Sequence, residues 1–168
     1  MAGIGYVLIV LGIFCTDLRI KDRIEKGIGE DGRERVQEEG AGRIPESLFG
    51  NRILIRKYHN RGAMLNLGCR HRPVVAAVSV AMCLLAALVF LGSLGRRGNV
   101  FLRAGLALLL GGAFSNTYDR LRRRYVVDYF SFNVKWKRLQ NIVFNISDFC
   151  IMIGALVIVY TFAFPSEK

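Results

Sequence analysis

Four stretches of the chain are long and apolar. Residues 2–20 open on AGIGYVLIVLGIFC, with polar positions from Thr16 onward. Residues 74–94 run from Val74 to Leu94 without a charge. Residues 100–116 contain only Arg103, whose stem is long enough to carry its charge to an interface. Residues 142–164 contain only Asp148, three positions after Asn145. About 20 apolar residues cross the hydrocarbon core of a bilayer. The pattern therefore predicts an all-α polytopic membrane protein, with four transmembrane helices in a single membrane domain, 1–168. Pro73 suits the first turn of the second helix. The first stretch has no basic leader and no small-x-small cleavage site, so it is expected to be a retained helix rather than a cleaved signal peptide.

The intervening segments are polar. KDRIEKGIGEDGRERVQEEGAGRIPES is charged and holds five glycines. It reads as a solvated insertion over about 22–50, either a short helix or a mobile segment. RILIRKY, 52–58, has the apolar and β-branched content of a short strand. A single strand does not stand alone, so it needs a partner from its own loop, from the later loop or from a bound peptide. A small extramembrane β/loop element between helices one and two is expected. Asn60 and Gly62 then mark a turn back toward the membrane.

Composition sharpens this picture. Mean hydropathy is +0.32, with 52% hydrophobic residues and a net charge of +11. The loops 16–73 and 116–141 hold 20 of the 24 Lys and Arg residues, and with four helices they lie on one side. Nucleic acid is not an expected partner, because the basic residues alternate with membrane segments and no recognition motif accompanies them. Contact of DRLRRRY with anionic membrane lipids is the simpler reading. By the positive-inside rule both charged loops would be cytoplasmic and both termini outside. Cys15, Cys69, Cys83 and Cys150 show no metal or disulfide spacing, and His59 and His71 match no ligand pattern and read as loop residues. No metal site is expected from these residues.

Three sets of polar residues stand at helix ends or inside apolar runs. Asp17 and Lys21 share a helical face at the end of helix one and form at least an interfacial ion pair. Asn116 and Asp119 end helix three. Asp119 and Arg120 suit a surface pair, while Asp128, bracketed by apolar residues in YVVDYF, is either a turn or cap residue or a partly buried functional group. Asn145 and Asp148 share a face of helix four. A carboxylate there faces the bundle interior or a wet cavity, as a structural contact or as a functional one. Asp128 and Asp148 approach the same membrane face. Two neighbouring carboxylates tend to share one proton, the arrangement of an aspartic peptidase.

In their order along the chain, these blocks resemble the lipoprotein signal peptidase (signal peptidase II) family. SNTYDRLRRRYVVDYF is similar to that family's Gly-Asn, Asp-Arg and Val-Val-Asp-Phe stretch, and VFNISDFCIMIG to its Phe-Asn-x-Ala-Asp motif. TDLRIK resembles Asp-x-x-Thr-Lys, and HNRGAML resembles Asn-x-Gly-Ala-Ala-Phe. The resemblance implies a membrane aspartic endopeptidase with Asp128 and Asp148 as the catalytic pair. Asn60, Gly62, Asn116, Asp119, Arg120, Asn145, Asp17 and Lys21 would shape the site. It implies a prolipoprotein substrate cut just before a diacylglyceryl-modified Cys, by a reaction that needs no metal and no organic cofactor. It also implies a multi-pass protein of the bacterial cytoplasmic membrane with its site toward the outer face, opposite to the charge count. One chain supplies both Asp residues, so a monomer is expected. The 52–58 strand is a candidate for pairing with extended substrate. Ser115, Ile20, Met64, Leu65 and Ser147 depart from the family pattern and the first loop is longer, which marks a divergent member or paralogue. The alternatives are a non-catalytic relative that binds lipid or lipoprotein, and a small proton-coupled transporter, for which helix two offers only Ser79 and Ser93.

Overall fold

The computed structural model describes residues 2–27, 46–48, 50, 52–63, 67–95 and 100–164. Its long helices are α1 (Ala2–Gly27), α2 (Arg72–Leu94), α3 (Val100–Arg122) and α5 (Ile146–Ala163); α4 (Lys137–Gln140) is a single turn. The strands are β1 (Glu46–Leu48), β2 (Ile53–Asn60) and β3 (Val126–Phe132). The four long helices are apolar enough to cross a membrane.

Helix α3 is the centre of the bundle. Half of its most apolar window is buried, against 11% for α1 and α2. Val10 of α1, Cys83 and Phe90 of α2, and Leu106, Ala107 and Leu110 of α3 form the buried apolar cluster. Outward residues such as Leu84, Leu88, Leu91, Leu156 and Phe162 stay exposed, as a lipid-facing surface requires. Between α3 and α5 the backbones meet through glycine. A Cβ on Gly105 would lie 2.9 Å from the Gly154 carbonyl oxygen, and one on Gly112 would strike the Ser147 carbonyl. Small residues allow this approach, and dispersion between close-packed backbones holds membrane helices together.

Three helix boundaries differ from expectation. Helix α1 continues through Gly27 rather than ending near residue 20, so the charged insertion begins as helix; residues 28–45 lie outside the described residues. Helix α3 runs to Arg122, which places Asn116 and Asp119 inside it rather than at its end. The chain leaves α3 through Arg124 at φ 67°, with the Arg123 and Arg124 amides on the Asp119 carbonyl at 2.7 and 3.1 Å. Helix α5 begins at Ile146, four residues later than the apolar run predicts. Phe144 is extended instead and exchanges backbone hydrogen bonds with Phe130 of β3. Rings of Phe130, Phe132, Phe144 and Phe149 pack together over this junction.

The sheet has the order β1-β2-β3 and is antiparallel throughout. The 52–58 strand thus finds partners in both loops: β1 precedes it, and β3 comes from between α3 and α5. At Ile53–Ile55 both edges of β2 are taken by β1 and β3, so these positions offer no edge to a substrate peptide. The β2–β3 register shifts between Ile55 and Tyr58, and beyond the shift Tyr58 faces Asp128 and Asn60 faces Val126. Strand β3 is the element that brings the second charged loop onto the membrane helices. His59, read as a loop residue, lies in β2; its ring bonds Glu25 of α1 at 2.8 Å and lies 4.1 Å from the Tyr125 ring.

Candidate active site

Each carboxylate is delivered by a different kind of backbone. Asp128 is the third residue of β3 and is buried at 2% exposure. It is neither a turn residue nor a cap. Asp148 lies in the first turn of α5, within a capping box: Asn145 Oδ1 accepts from the Asp148 amide at 2.9 Å, and Asp148 Oδ2 accepts from the Asn145 amide at 3.1 Å. The carboxylate in the fourth apolar stretch is therefore at the N-terminus of its helix, where the helix dipole and free amides favour negative charge. It is half-buried, more open than Asp128.

Asparagines join the two. Asn145 Nδ2 donates to Asp128 Oδ1 at 2.7 Å, while its own backbone amide holds Asp148. Asn116 Nδ2 donates to Asp148 Oδ1 at 2.9 Å, and Asn60 Nδ2 donates to Asp128 Oδ2 at 3.2 Å. Asn116 Oδ1 accepts from Asn145 Nδ2 at 3.3 Å and from Lys21 Nζ at 3.0 Å. Both carboxylates thus sit in one continuous network. Burial and the neighbouring Asp148 charge raise the Asp128 pKa from 3.8 to about 7, against the opposing donors Asn145 and Asn60.

The remaining predicted residues form two supports. Arg120 is not paired with Asp119. Its guanidinium donates to the Asn116 carbonyl at 3.2 Å and to the Gly62 carbonyl at 3.1 Å, which ties α3 to the turn after β2. That turn is closed by the Gly62 amide on Asn60 Oδ1 at 3.1 Å, an Asx turn. Met64 and Leu65 lie outside the described residues. Below the asparagines lies a fully buried ionic layer rather than an interfacial pair. Lys21 Nζ is 2.7 Å from Asp17 Oδ2 and 3.1 Å from Asp119 Oδ2, with all three side chains at 0% exposure. Asp119 also accepts from the Val127 amide at 3.2 Å and lies 3.1 Å from Arg123 Nε, so it anchors β3 and closes α3.

Ser115, Tyr129 and Ser147 were not among the predicted site residues, yet all three donate to Asp17, at 2.6, 2.8 and 2.6 Å. Their sequence signal is weak: Ser115 and Ser147 stand out only as departures from the family pattern, and each bond spans about a hundred residues. Among the described residues no group of three or more His, Cys, Asp or Glu side chains is placed to hold a metal ion.

Comparison with known proteins gives this geometry a family. The family model described as signal peptidase (SPase) II matches residues 9–164. A lipoprotein signal peptidase of Clostridioides difficile is 32% identical over 72% of this chain and 78% of its own length. One of Moorella thermoacetica is 36% identical over 72% and 75%. A solved structure described as a bacterial membrane enzyme superposes with a TM-score of 0.74 at 19% identity, covering 98% of this chain and 93% of that one, and shares its fold. With a family model spanning nearly its whole length, the chain is a multi-pass membrane protein and belongs to the signal peptidase II family.

Proposed function

We propose that Asp128 and Asp148 are the catalytic dyad through which this chain carries out its family's reaction, removal of signal peptides from prolipoproteins. The observation that carries the reading is the Asn145 bridge: one residue holds Asp128 by its side chain and Asp148 by its amide. The environments divide the roles. Asp128 is buried and titrates at about 7, so near neutral pH it holds the shared proton and polarises the scissile carbonyl. Asp148 is more open and sits at a helix N-terminus, which favours its carboxylate as the group that takes a proton from the attacking water. Water oxygen adds to the carbonyl carbon, the leaving nitrogen is protonated, and the C–N bond breaks. The pair titrates as one unit, with activity between its two apparent pKa values.

The substrate is a prolipoprotein whose Cys already carries diacylglycerol, and the cut falls just before that Cys. The shallow position of Asp148, in the first turn of α5, supports this: the lipid remains in the bilayer while the backbone reaches the dyad. The protein acts as a monomer among membrane lipids in the bacterial cytoplasmic membrane, with the site on the outer face. The basic loops oppose that orientation, but Lys21, Lys57 and Arg123 are engaged in ion pairs within the fold. A reporter fused after Lys168 tests the orientation and should be active in the cytoplasm; one active outside would overturn it. Mass spectrometry of the products from a diacylglyceryl-modified prolipoprotein tests the cut. Cleavage before the lipidated Cys is expected, and cleavage elsewhere would refute the assignment. The transporter reading loses support at helix two, where the Ser79 and Ser93 hydroxyls are satisfied by the Val75 and Phe90 carbonyls of their own helix.

A further inference from the structure

Asp17 receives donors from three different elements. Ser115 Oγ of α3 and Ser147 Oγ of α5 each reach Asp17 Oδ2 at 2.6 Å, and the Tyr129 hydroxyl of β3 reaches Oδ1 at 2.8 Å. Lys21 Nζ adds a charge at 2.7 Å from Oδ2. An ionised carboxylate accepts about four hydrogen bonds, so these donors fill it. All of these groups except the tyrosine tip are at 0% exposure, and Tyr129 is at 4%.

The partners share one property. Ser115 precedes Asn116, Tyr129 follows Asp128, and Ser147 precedes Asp148. The segments that present the two carboxylates, and the one that presents Asn116, are each tied by an adjacent residue to a single oxygen pair on α1. Tyr129 adds a second tie, since its oxygen accepts the Ile146 amide at 3.0 Å, at the first turn of α5. Burial and the Asp17 charge hold the phenol well above its usual range, so it remains a donor at any working pH. A charge-assisted bond in a dry site is stiff and costly to leave unmade.

We propose that Asp17, acting through Ser115, Tyr129 and Ser147, is a positioning anchor that sets the separation of Asp128 and Asp148. Asp17 and Lys21 then touch no substrate; their part is to fix where β3 and α5 end relative to α3. The proposal rests on the reading of the two aspartates as the dyad. It adds three hydroxyl residues to the site's machinery. Ser115 and Ser147 are two of the positions at which this chain departs from the family pattern.

The test uses the full chain in detergent or lipid. Ser115→Ala, Tyr129→Phe, Ser147→Ala and the triple variant are compared with Ser79→Ala, whose hydroxyl is satisfied within α2 and which should behave as the unsubstituted protein. The first readout is the infrared titration of the carboxyl band that Asp128→Asn removes; it needs no substrate. Other charged groups near the dyad are Asp17, Lys21, Asp119 and Arg120, none of which is substituted. Release of the clamp lets the carboxylates separate and water enter, which weakens both causes of the raised Asp128 value. The midpoint should fall by about one unit in the triple variant, with the single changes non-additive. The second readout is cleavage: kcat should fall about tenfold with little change in KM, since a misplaced pair loses transition-state stabilisation. A folded triple variant with the midpoint and kcat of the unsubstituted protein would overturn the anchor and leave the peptidase reading standing. A shifted midpoint in a protein that never cleaves would support the anchor and sink the peptidase reading. Should the triple variant fail to fold, the two Ser→Ala variants carry the same comparison.

Discussion

Replacing Asp128 by Asn should stabilise the protein at neutral and alkaline pH while removing activity. Folding raises the Asp128 pKa from 3.8 to about 7. Between those values the folded state binds more protons than the unfolded state, so stability falls as pH rises through the window. A difference of about 3 units at 1.36 kcal/mol each corresponds to about 4 kcal/mol lost above pH 8. Asn is neutral at every pH and avoids that loss. It also brings a cost, because its amide replaces Oδ2, which accepts from Asn60 at 3.2 Å, so two donors face each other. An unmade bond of this kind offsets about 1 kcal/mol. The net expectation is a variant about 3 kcal/mol more stable at pH 8, with the gain vanishing near pH 4. Denaturation in mixed micelles at a series of pH values measures it. A pH-independent difference, or an Asn variant less stable at pH 8, would refute the electrostatic account.

Two other changes probe the scaffold. Lys21→Met would leave the Asp17 and Asp119 carboxylates without their shared cation at 0% exposure, and should cost about 3–5 kcal/mol, read as lost folded yield and a lower midpoint of unfolding. Gly154→Ala would set a Cβ 2.5 Å from the Gly105 carbonyl oxygen and 2.6 Å from the Leu109 amide nitrogen. Forcing α3 and α5 apart there should cost about 1–3 kcal/mol. It lies two turns from Asp148, so a stable fraction with unchanged KM for lipidated substrate is expected in a cleavage assay.

The helices were legible because a bilayer imposes length and apolarity on each span, and the four runs in the sequence meet both demands. Asp128 and Asp148 were legible as candidate site residues because a carboxylate in or beside such a run demands a reason. The ends of the helices were not. Ile142, Val143 and Phe144 are as apolar as the helix that follows, but the Asn145 cap and the Phe144–Phe130 pairing keep them out of it. Strand β3 is poorly legible in YVVDYF, where an aspartate, a poor strand former, interrupts β-branched and aromatic neighbours that suit a strand. The Asp17 layer was half legible. Lys21 is four residues along the same helix, a local signal, whereas Ser115, Tyr129 and Ser147 come from elements that only tertiary packing brings together.

Cleavage of a diacylglyceryl-modified prolipoprotein by the purified protein, beside Asp128→Asn and Asp148→Asn, tests the central claim most directly. The account predicts release of the signal peptide by the unsubstituted chain and its loss, by about a thousandfold or more, in either folded variant. Undiminished cleavage by either variant, or none by the unsubstituted chain while a known signal peptidase II works in parallel, would contradict it.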